Sequence, residues 1–133
     1  MDIVKIVKDS GLPKGEFIVV ASGIMNALGI RESDDIDLVV THNLYQILKQ
    51  SGREEVDKED YKVLLNGPLE AGLCWDSENE IPNFDNLIKD AVVINDVPFA
   101  SLERVKSYKQ KMQRPKDIKD IALIDKYLNN LTE

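Results

Sequence analysis

Residues 19–40 read VVASGIMNALGIRESDDIDLVV. Each end is a run of apolar, largely β-branched residues suited to a buried strand. Between them the chain turns at Ser22-Gly23, runs as a short apolar helix, stops at Gly29 and enters a second strand through Asp35-Ile36-Asp37. A strand–helix–strand unit of this kind needs a sheet with helices packed against it. Residues two apart on a strand share a face, so Asp35 and Asp37 point the same way while Ile36 and Leu38 point into the core. Two neighbouring carboxylates repel, and a hard divalent cation such as Mg2+ (or Mn2+) offsets the repulsion. Magnesium commonly takes one or two carboxylates together with phosphate oxygens. The turn Ala21-Ser22-Gly23 leads a strand into a helix N-terminus, which offers N–H groups to an anion. A lone Asp-x-Asp is common at surface strand ends, and a lone Ser-Gly turn is common before helices. Consecutive in the chain, they fit a nucleoside triphosphate with its metal.

The flanking segments extend the sheet. DIVKIVKDSG reads as an opening helix and EFIVVA as a first strand. HNLYQILKQSG is a helix with Leu44, Ile47 and Leu48 on one face. YKVLLNGPLEAGLCW reads as a hairpin turning at Asn66-Gly67, and VVINDVPFA as one turning at Asn95-Asp96. FDNLIKDA is a short helix. SLERVKSYKQKMQ is a helix capped by Ser101, and Pro115 opens a last helix. Its spacing sets Ile118, Ile121, Ala122, Asp125 and Leu128 on the packed side, with charges outward. The class is α/β (α+β), a mixed sheet with helices against it, and 133 residues are expected to form one domain, 1–133.

Cys74 is the only cysteine, which excludes a disulfide framework and a cysteine zinc site; it is expected as a buried thiol on a strand. No segment has the apolar length of a signal peptide or membrane span, so a cytoplasmic location without membrane contact is expected. The net charge of −7 disfavours duplex DNA as a partner. The balance is uneven: residues 104–119 carry seven Lys/Arg and one acid, a local +6 that leaves −13 elsewhere. Such a stretch is either a solvated helix face or the holder of a small anion.

The residues in register here, Gly29, Arg31, Ser33, Asp35, Ile36, Asp37 and Leu38, resemble the signature of the nucleotidyltransferase superfamily related to DNA polymerase β. Its small bacterial and archaeal members are the most similar. Lys109, Arg114, Lys116, Asp117 and Asp120 match their C-terminal pattern, so the resemblance runs from about Phe17 onward. Ala21 departs from it, standing where those relatives carry the first glycine of the phosphate turn. The resemblance implies a metal-dependent transfer of a nucleoside monophosphate from a triphosphate to a small-molecule, protein or RNA acceptor. Asp35 and Asp37 would hold the metal, and Ser22 and Gly23 would form the phosphate turn. Arg31 would contact phosphate or pair with an acid such as Asp34. Lys109, Arg114 or Lys116 would neutralise the triphosphate or tie helices together as ion pairs.

The superfamily uses a third acid on a neighbouring strand. On LEAGLCWD, Leu69, Ala71, Leu73 and Trp75 alternate with Glu70, Gly72, Cys74 and Asp76. Glu70 is the expected third acid and Asp76 the second choice. His42 is expected as a helix-start surface residue, and Trp75 and Tyr61 as core. A chain of this length leaves the acceptor to a protein partner, a second subunit or solvent. The alternative is a degenerate domain of the same fold that binds a partner or nucleotide without turnover, as in toxin–antitoxin-like pairs. A phosphohydrolase with the same acids fits the phosphate turn less well.

Overall fold

The computed structural model describes residues 2–58, 61–74 and 83–131. Its element order is α1 (Ile3–Asp9), β1 (Phe17–Val20), α2 (Gly23–Ala27), β2 (Ile36–Val40), α3 (His42–Gln50), β3 (Glu54–Lys58), β4 (Tyr61–Asn66), β5 (Leu69–Gly72), α4 (Phe84–Leu87), β6 (Val92–Ile94), β7 (Val97–Phe99), α5 (Leu102–Met112) and α6 (Pro115–Leu131). Among the described residues the strands form one mixed sheet in the order β3-β4-β5-β2-β1-β7-β6. β1 is antiparallel to β2 and parallel to β7; β2 is parallel to β5. All four residues of β1 are buried, which its β-branched run requires at the centre of a sheet covered on both faces. No helix among the described residues is long and apolar enough to cross a membrane.

Local chemistry sets most element ends. Thr41 caps α3 by accepting from the Leu44 N–H at 3.1 Å, and its own hydroxyl donates to Glu16 at 3.0 Å. Ser101 caps α5 by accepting from the Arg104 N–H. Asn95 and Asp96 both have positive φ (48° and 69°), the tight turn that joins β6 to β7.

Several expectations change. Asn66 pairs with Leu69, so the first hairpin turns on Gly67-Pro68; Gly67 alone supplies the positive φ (57°). β5 ends at Gly72, and Cys74 is a half-buried residue beyond it, bridged to Asn83. Trp75, Asp76 and the Tyr61 side chain lie outside the described residues. Ile47 is 51% exposed, and Tyr45 takes the inward place beside Leu44 and Leu48. The Tyr45 hydroxyl donates to Glu55 at 2.8 Å, tying α3 to β3, the one strand the sequence reading omits. β3 is EEVDK, with too little apolar alternation to read as a strand; pairing with β4 makes it one.

The largest change is in α6. Ile118 is 60% exposed, whereas Asp117, Asp120 and Ile124 are buried. The helix packs along α5 and turns carboxylates inward.

Candidate functional site

At its C-terminal end, β1 turns through Ala21 and Ser22 into α2. Because β1 and β2 are antiparallel, with Val20 opposite Asp37, this turn lies beside the start of β2. Parallel pairing of β2 with β5 then sets Asp37 opposite Glu70. Asp35 precedes β2 by one residue. Carboxylate oxygens of Asp35, Asp37 and Glu70 lie within 4.8 Å of one another. Asp35 is exposed, and Asp37 and Glu70 are half-buried. An oxygen-only set at this separation suits a hard cation of the Mg2+ or Mn2+ type.

A cleft of about 420 Å3 opens over these groups. Ser22, Gly23, Arg31, Asp35, Asp37, Glu70, Lys109, Arg114 and Lys116 all line it, as do Gly72 and Cys74. The structure therefore brings the first-choice site residues of the sequence reading to one cleft; Asp76, the second choice for the third acid, lies outside the described residues. His42 is exposed at the first position of α3 and does not line it.

Two residues of the Ala21-Ser22-Gly23 turn are explained by backbone geometry. A Cβ on Gly23 would stand 2.2 Å from Val19 Cγ1 and 3.2 Å from Ile3 Cδ1, so glycine is demanded by the close approach of α2 to β1 and α1. Ala21 has φ 56°, a left-handed conformation that costs an alanine roughly 1 kcal/mol. The turn keeps a glycine-like backbone without a glycine. α2 is only five residues long, so the helix dipole at the turn is small, and Arg31 and Lys109 are side-chain cations that reach the turn.

Those cations are held from a distance. Arg31 Nη2 donates to Ser22 Oγ at 2.7 Å, and Lys109 Nζ donates to the same oxygen at 3.3 Å. Arg31 does not pair with Asp34 as one reading had it. It makes a two-pronged contact with Asp120, Nε to Oδ1 at 2.8 Å and Nη2 to Oδ2 at 3.0 Å. Lys109, 4% exposed, lies 2.8 Å from Asp120 and 3.6 Å from Asp117. Arg114 grips Asp117 at 2.6 Å and 3.2 Å, and Asp117 also accepts from the Arg114 backbone N–H at the start of α6. Arg114 further stands 5.9 Å above the Tyr108 ring. Lys116 is exposed at the cleft.

Burial pushes the Asp117 carboxyl up, but the Arg114 hydrogen bonds and the Lys109 charge outweigh it and hold it below the usual carboxylate range. Burial also raises Asp120, and Arg31 and Lys109 reverse it in the same way. Both remain anions. Elsewhere the basic stretch is engaged with acids: Arg104 with Asp90 and Lys106 with Asp125. What sequence reasoning missed is the Asp120 contact with Arg31, across 89 residues. A signal was present, since Asp117, Asp120 and Ile124 share one helix face.

No protein-family model matches the chain, and no curated protein matches its sequence. Among solved structures it is similar to ANT(2")-Ia in complex with adenylyl-2"-tobramycin, with a TM-score of 0.56 and 20% identity over 96% of this chain and 86% of that one. The mixed sheet and its helices are thus a nucleotidyltransferase fold.

Proposed function

We propose that the chain is a metal-dependent nucleotidyltransferase that moves a nucleoside monophosphate from a nucleoside triphosphate to a small-molecule, protein or RNA acceptor. One observation carries the reading: three carboxylates converge in a cleft that also holds a serine turn gripped by two cations. The fold shared with a protein solved with an adenylyl-aminoglycoside supports nucleotidyl transfer as the chemistry.

Asp35 and Asp37 would hold Mg2+ or Mn2+. Such an ion, when bound, stabilises charge on the attacking and leaving oxygens. The Ser22-Gly23 turn, Arg31, Lys109 and Lys116 bind the phosphates and neutralise the departing pyrophosphate. Glu70 accepts the proton of the acceptor hydroxyl as its oxygen bonds the α-phosphorus and the bond to the β-phosphate breaks. The acceptor enters from solvent or on a partner protein. Duplex DNA is not a partner, given a net charge of −7.

A thermal-shift screen of the four ribonucleoside triphosphates with and without Mg2+ tests binding, since a ligand of the native state raises the melting temperature. Pyrophosphate release with candidate acceptors then tests turnover. Glu70→Gln is expected to keep triphosphate affinity within several-fold and lose release; wild-type turnover by that variant refutes its role.

Ala21 favours a second reading. A methyl in the left-handed turn narrows the backbone approach to a phosphate, as a degenerate domain that binds nucleotide or a partner without turnover would tolerate. Metal-dependent triphosphate binding with no release for any acceptor selects that reading.

A further inference from the structure

The buried ion cluster joining α6 to the phosphate turn asks for a purpose. Side chains of Lys109, Asp117 and Asp120 are 5%, 0% and 6% exposed. A buried ion cluster is a poor source of stability, because desolvation offsets most of the Coulomb gain and an apolar replacement often does as well. This one is also unbalanced. Among the described residues, Arg31, Lys109 and Arg114 pair with Asp117 and Asp120, three cations to two acids beside the cleft.

Asp120 is the hub. Its two oxygens take Arg31 in a planar fork and Lys109 at 2.8 Å, and both cations then reach Ser22 Oγ. Arg31 is further pinned by donating to the Glu32 carbonyl at 2.7 Å. Arg31 comes from the loop before β2, Lys109 from α5 and Ser22 from the turn after β1. Asp120 supplies from α6 the common anion that orients both cations.

We propose that Asp120 is a positioning residue for the anion half of the cleft: it orients Arg31 and Lys109 on Ser22 so that their donors converge on a polyphosphate. The inference rests on the nucleotidyltransferase reading above and adds α6 to its machinery. It is separable from a charge effect by sign. Removing the Asp120 charge makes the cleft more positive, so electrostatics alone predicts tighter polyphosphate binding. Lost positioning predicts weaker binding, because two long cationic side chains must then be ordered by the ligand itself.

The test uses the full chain, calorimetry with inorganic tripolyphosphate and with Mg·ATP, and side-chain nitrogen NMR of Arg31 and Lys109 without ligand. In Asp120→Asn we expect both ligands to bind about tenfold or more weakly. The Arg31 Nε–H and Lys109 Nζ signals are expected to be sharp in the wild type and to broaden in the variant. Equal or tighter binding by the variant overturns the positioning role and leaves the nucleotidyltransferase reading standing. Unchanged NMR signals overturn it as well. A wild type that binds neither ligand refutes both the reading and the proposal. Should Asp120→Asn fail to fold, Arg31→Lys carries the same test on a third-exposed side chain. It keeps the charge but cannot fork to Asp120 while reaching Ser22. Weaker binding is expected, and wild-type affinity overturns the proposal.

Discussion

Asp37 on β2 and Glu70 on β5 are register partners across a parallel strand pair, and with Asp35 they bring three carboxylates within 4.8 Å. Like charges placed side by side on a sheet destabilise it unless a cation joins them. The β2–β5 pairing therefore sets like charges side by side, a cost that a bound cation would offset.

Replacing Asp35 or Asp37 by Asn should raise the stability of the metal-free protein by about 0.5 kcal/mol while weakening Mg2+-dependent triphosphate binding. Melting scans in chelator read the first effect and calorimetry the second. Equal Mg·ATP affinity in the wild type and the double Asn variant would remove the metal assignment.

Asp117 and Asp120 set an acid-side dependence. Their carboxyls are held below the ordinary range in the folded state, so the unfolded chain takes up protons first as pH falls. The stability they contribute is complete above the ordinary carboxylate pKa, roughly pH 5 upward. It declines through pH 4 and is gone below the folded values. Unfolding free energy measured against pH should show this slope, flattened in Asp120→Asn.

Asp117→Ala should cost about 3 kcal/mol, because it strands Lys109, 5% exposed, without one of its two anions and uncaps α6 at Arg114. Urea denaturation measures it. A loss under 1 kcal/mol would mean that Asp120 alone satisfies the cluster.

The Ala21-Ser22-Gly23 turn gives a pair of opposite expectations. Gly23→Ala places a methyl 2.2 Å from Val19 Cγ1 and should cost about 2 kcal/mol or more. Ala21→Gly relieves a φ of 56° at the expense of unfolded-state entropy, so stability should stay within about 1 kcal/mol. If the Ala21 methyl obstructs phosphate, that variant also tightens Mg·ATP binding. Denaturant midpoints and calorimetry on the two variants decide.

Much of this was legible in the chain because it is local. The alternation of a strand sets Asp35 and Asp37 on one side of Ile36, and it separates Glu70 and Gly72 from Leu69 and Ala71 whatever the strand pairs with. Caps such as Ser101 and the Asn95-Asp96 turn follow from a few adjacent residues.

Other features needed distant partners. β3 is a strand because β4 offers it hydrogen bonds, not because EEVDK carries an apolar pattern. Glu70 stands beside Asp37 only because β5 pairs in parallel with β2. The inward face of α6 is rotated for the same reason: Ile121 and Leu128 stay half-buried, Ile118 and Ala122 are exposed, and Asp117 and Asp120 turn in. Helical periodicity puts apolar groups inside, since an unpaired carboxylate cannot bear the loss of water. Arg31 from the loop before β2, with Lys109 and Arg114 from α5 and the link that follows it, supply the charges that let Asp117 and Asp120 be buried instead. Spacing along a chain determines which residues share a face; which face can shed its water is decided by what the rest of the fold sets against it.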